Sequence, residues 1–139
     1  MKTLRLLTPL FICAGVLQCV SSCVPHGQML LRMDVIQGRE VILATQFDVD
    51  DHSSVSEIWD AASEVPVHAE VIKPSLNPGQ DSPLKLELTG PVEIRITHVT
   101  SVQTRATMTG LTLIRSSPTT TDWRLPTEEV DRAKKAAGL

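Results

Sequence analysis

From residue 84 to residue 97, apolar and polar side chains alternate with only one interruption. Leu84, Leu86 and Leu88 interleave with Lys85, Glu87 and Thr89, and Val92, Ile94 and Ile96 interleave with Glu93, Arg95 and Thr97. Successive side chains of a strand point to opposite faces, so a period of two buries one face and wets the other. A helix would spread the same residues around its circumference. The stretch therefore predicts antiparallel strands with one wet face. Gly90-Pro91 is read as the turn between two of them, and Val99 as a further apolar member of the second.

The rest of the chain is read against that constraint. Residues 29–36 form an apolar run, Gln37-Gly38 punctuates it, and residues 40–49 carry Val41, Leu43, Thr45, Phe47 and Val49 on one face. Two strands in a hairpin follow. Ser54-Val55-Ser56-Glu57 matches a capping box, and Val55, Ile58, Trp59 and Ala62 recur at helical spacing up to about Glu64, ahead of Pro66. Residues 65–72 suit a strand with Pro66 at its start or on an edge. Residues 73–83, with Pro74, Asn77, Pro78, Gly79 and Pro83, form a loop. Residues 102–115 supply one or two strands broken at Gly110, and a polar turn leads to a short strand at Trp123 and Leu125. Pro126 and Thr127 open a last helix with Val130, Ala133 and Ala137 inward, closed by Gly138.

Six or seven short strands and two helices make a β-rich α+β domain, an antiparallel sheet with one internal and one C-terminal helix. A β-sandwich is the alternative, disfavoured because both helical signals carry caps. A chain of 139 residues has room for one such domain. It has no tyrosine, and Phe11 lies in the N-terminal segment. The core must therefore be aliphatic around Phe47, Trp59 and Trp123.

That N-terminal segment has the parts of an export signal: cations at Lys2 and Arg5, an apolar stretch over residues 6–17, and small residues at Ser21 and Ser22. Thr8, Pro9 and Gln18 interrupt an apolar stretch already short of the ~20 residues a membrane span needs. Val20-Ser21-Ser22-Cys23 resembles the lipobox of bacterial membrane lipoproteins, an aliphatic residue and two small ones before a cysteine. The resemblance implies cleavage between Ser22 and Cys23, diacylglycerol on the Cys23 thiol and an acyl chain, such as palmitate, on its new amine. It also implies residence in a cell envelope, and Val24 in place of Asp after the cysteine implies passage to the outer membrane. The preferred aliphatic in that family is Leu, where this chain has Val20, and ordinary signal peptidase would also accept Val20 and Ser22.

Cysteine usage bears on the choice. Cys13 and Cys19 fall in the discarded segment, so Cys23 would be the sole cysteine afterwards, and an unpaired thiol is unusual in an oxidising compartment. Lipid on that thiol removes the anomaly. The chain thus divides into a signal peptide at residues 1–22, a lipidated tether at 23–28 and a globular domain at 29–139.

The whole chain carries −3, and the removed segment holds two cations and no acid, leaving −5. Such a surface does not suit nucleic acid, which is held by clustered Lys and Arg. Arg132, Lys134 and Lys135 lie among Glu128, Glu129 and Asp131, as on a solvated helix face. Asp48, Asp50 and Asp51, with Ser53, are weak candidates for a calcium loop, but Ser53 stands where the turn needs Gly and Trp59 where it needs Glu. A strand end and turn account for them better. His26, His52, His68 and His98 are scattered, without zinc spacing, and no nucleophile elbow, phosphate loop or dinucleotide motif occurs. No cofactor is expected. The sequence points to a lipid-anchored envelope module with a binding or structural role, whose partners are the membrane through Cys23 and an envelope protein. A secreted, unlipidated ligand-binding protein is the alternative, and an envelope enzyme without a recognisable motif comes third.

Overall fold

The computed structural model describes residues 27–68 and 84–139. Their order is β1 (Gln28–Gln37), β2 (Glu40–Asp50), α1 (Val55–Glu64), β3 (Val67–His68), β4 (Lys85–His98), β5 (Ser101–Ile114), β6 (Asp122–Trp123) and α2 (Thr127–Ala136). The domain is α+β and β-rich. All six strands belong to one antiparallel sheet, ordered β5-β4-β1-β2-β3-β6, so the two-sheet alternative does not hold. The sheet curls until its edges meet. Arg124, just after β6, exchanges both backbone hydrogen bonds with Ile114 at the end of β5, at 2.8 and 3.0 Å.

The alternating face of each strand fills the interior. Leu31, Met33 and Val35 of β1, Leu43 and Phe47 of β2, Val92, Ile94 and Ile96 of β4, and Ala106, Met108, Leu111 and Leu113 of β5 are all buried. Ile58, Trp59 and Ala62 of α1 and Val130 and Ala133 of α2 join the same cluster. Phe47, Trp59 and Trp123 are the large aromatics at its centre, as their scarcity demanded. The Trp59 indole N–H donates to Thr104 Oγ1 at 3.1 Å, so the helix is keyed to β5 by a bond that satisfies a buried donor. Arg115, also buried, sets its guanidinium 4.9 Å from the Trp123 ring centre and donates to the carbonyl of Thr120 at 2.8 Å, which ties down the polar turn.

Several expectations change. Gly90-Pro91 is not a turn: β4 runs through it, and the register steps from Leu88↔Leu111 to Pro91↔Thr109. One extra residue on β4 makes a bulge, with Gly90 at φ 83° facing Gly110 of β5 at φ 72°. The glycines bend the ribbon where ordinary residues would have ended it. As a result β4 and β5 are 14 residues each and not short, and residues 101–114 are one strand. The turn falls instead at Val99-Thr100, and Val99 is exposed rather than part of the apolar face. Val41 leaves the face it shares in sequence with Leu43, because a register shift near Ile42 turns it outward.

α1 begins as read, with Ser54 Oγ accepting from Glu57 N at 3.2 Å. α2 does not: Pro126 is its N-cap and no side chain bonds the first turn. Its other end is well closed. Leu139 N donates to Lys134 O and Gly138 N to Lys135 O, with Gly138 at φ 84°, which is a Schellman arrangement. β3 follows Pro66 but is assigned only to Val67–His68; the remainder of the strand and loop read over residues 69–83 lies outside the described residues.

Candidate functional site

Ser22 and Cys23, the cleavage and lipid positions, lie outside the described residues. So does His26, whereas His98 ends β4. Of the three aspartates, Asp48 and Asp50 belong to the end of β2 and Asp51 to the turn after it. Ligand atoms of Asp50, Asp51 and His52 lie within 4.8 Å of one another, and all three residues are exposed. Asp48 is not of that group. Asp50 Oδ1 accepts from His52 N at 3.0 Å and Asp51 N donates to Gly27 O at 3.0 Å, so the acids serve the turn that returns the chain toward α1.

A cleft of about 420 Å³ opens on the face of the sheet turned away from the core, lined by Arg32, Ala44, Thr45, Gln46 and His68. Strand phase creates it. Arg32 alternates with buried Leu31 and Met33, and Ala44 and Gln46 with buried Leu43 and Phe47. Register then assembles two cross-strand rows. Asp34 faces Ala44, Ala44 faces His68, and His68 faces Asp122; beside them Thr97 faces Arg32 and Arg32 faces Gln46. Ala44 is the small residue of its row, which leaves the depression between longer neighbours.

The polar groups have defined partners. His68 Nδ1 lies 2.9 Å from Asp122 Oδ1, leaving Nε2 for another contact, and Arg32 Nε donates to Asp34 Oδ1 at 2.8 Å. The Arg32 Nη groups and the Gln46 amide make no hydrogen bond to other described residues. They can hold a polar or anionic group. The Thr45 hydroxyl, also in the lining, donates to Pro66 O at 2.7 Å.

Sequence reasoning placed His68 with Glu70 on a wet strand face and did not single out Arg32, Gln46 or Asp122. Outward phase on β1 and β2 was available as a signal for the first two. The pairing of His68 with Asp122 spans 54 positions and has no local signature.

No family model matches this chain, and no curated protein or solved structure matches it.

Proposed function

We propose that this chain is an exported, lipid-anchored module of a bacterial cell envelope, held to the membrane through Cys23 and acting by binding rather than by catalysis. One observation carries the proposal: Val20-Ser21-Ser22-Cys23 follows a basic and apolar leader, and no other cysteine lies in the remaining chain. The start of β1 at Gln28 supports it, since only a few residues then separate the anchor from the sheet. One lipid chain binds a membrane reversibly, each buried methylene contributing ~0.8 kcal/mol, and two or three hold it durably. The binding role is supported by the outer-face cleft, where Arg32, Gln46 and His68 present charged, amide and imidazole groups to one opening.

The test is Cys23→Ser, with the leader retained and expression in bacteria that process lipoproteins. The wild-type chain is expected in the detergent-extracted membrane fraction, and the variant in the soluble exported fraction with its fold unchanged. Unaltered membrane retention of the variant would contradict lipid anchoring and point to an uncut leader. A soluble wild-type chain would point to the unlipidated secreted alternative.

A further inference from the structure

One end of the sheet gathers the start of β1, the end of β2 and the β4–β5 turn, because Gln28 faces Asp50 and Arg32 faces Thr97. Three large hydrophobic residues are exposed at this end: Leu30 at 52%, Val99 at 85% and Val102 at 48%. Leu30 shares the outer phase of Arg32. Val102 faces Thr97, which faces Arg32, so it lies on the same side of the ribbon, and Val99 stands at the tip beyond.

Val99 carries a second mark. It adopts φ 57°, a left-handed conformation that is a genuine outlier for a β-branched residue. Such strain costs stability, and a solvent-facing tip gains no core contact in return. Asn or Gly would satisfy the turn without it.

Charge divides this end into two sides. On β1, β4 and β5 the outward cations Arg32 and Arg95 are each paired with an acid, and Arg105 makes no ion pair among the described residues. The unneutralised charge there is positive. Asp50 and Asp51 lie on the other side, at the end of β2 and the turn after it, while Asp48 faces Leu30 across the β1–β2 pair.

We propose that Val99 and Val102, with Leu30 at their margin beside Asp48, form a membrane-contact surface that rests in the interfacial zone of the bilayer, with the β5-β4 side lowered and the end of β2 tilted away. The proposal rests on the anchored reading above. From Cys23 to Gly27 is four residues, an extended reach of roughly 14 Å, so a lipid on Cys23 keeps this end near the headgroups whatever the tether does. Apolar side chains flanked by Arg suit that zone, the cation meeting phosphate while the hydrocarbon sinks. The opposite end, at the Gln37–Glu40 turn, stands about 30 Å away along β1.

Site-directed spin labelling of the full, lipid-processed chain in phosphatidylethanolamine and phosphatidylglycerol vesicles tests it. Cys23 is blocked by lipid, so Val99→Cys, Leu30→Cys and Val41→Cys each offer one thiol. Labels at 99 and 30 are expected to collide with oxygen in preference to a water-soluble nickel chelate, with a ratio several-fold above that at 41. Equal, water-like ratios at all three sites would overturn the contact surface while leaving the anchor intact. Labelling of the wild-type chain at Cys23 would show the thiol unlipidated, overturning the anchored reading and the contact surface with it.

Discussion

Val99 shows how a single residue can oppose the stability of the fold it belongs to. Its Cβ is forced toward its own backbone by φ 57°, in a two-residue connection between strands of 14 residues each. Val99→Asn should therefore stabilise the domain by about 1 kcal/mol, since Asn tolerates the left-handed region by local hydrogen bonding. Thermal melts of the detergent-solubilised protein are expected to rise by roughly 2–8 °C. A melt that stays put or falls would mean that Val99 makes an undetected favourable contact. Stabilising changes at functional positions commonly cost function. Under the membrane-contact proposal the same variant should sit less deeply at the membrane, which separates its two effects.

Among the elements, α2 decides whether the curled sheet has a lid or an ornament. A ten-residue helix is marginal alone in water, and this one lacks a side-chain N-cap. It is held by docking. Val130 and Ala133 are buried in the common core, and Arg132 donates to Thr109 O at 2.7 Å while gripping the largely buried Glu129 at 2.6 and 2.7 Å. Lys134 reaches Asp60 of α1 at 2.5 Å, an exposed pair that adds little. Val130→Asp should cost about 3 kcal/mol, because an unpaired charge would replace a core contact and the helix must undock to hydrate it. Denaturant unfolding should show the unfolding free energy fall by that amount, with a lower midpoint. An unfolding free energy within ~0.5 kcal/mol of wild type, as for surface changes, would make the helix an ornament.

The elements also show what pattern can and cannot carry. Period-two alternation located β4 because it reports the solvent on each face directly, and the Ser54 box located α1 because its chemistry is local. Gly90-Pro91 misled for a related reason. Glycine at positive φ serves a turn or a bulge equally, and only Gly110 across the ribbon selects the bulge. The cleft was less legible still. Arg32, Gln46, His68 and Asp122 come from four strands, and their meeting depends on a register that no short window contains.

For the whole molecule, the entry to the sheet, the turn and the cleft fall toward one end. The chain enters the sheet at Gln28, the strained and apolar turn lies beside that entry, and the cleft with Arg32 and His68 opens on the outer face nearby. Under the proposed anchoring, Cys23 would hold a ligand bound in that cleft close to the membrane surface. Everything turns on the mature N-terminus. Intact mass and N-terminal fragment spectra of the protein extracted from bacterial membranes measure it directly. The expected species begins at Cys23, lacks residues 1–22 and carries the added mass of diacylglycerol and an acyl chain on that residue. A chain that still begins at Met1, or one that begins at Cys23 without lipid mass, would contradict the lipid-anchored account.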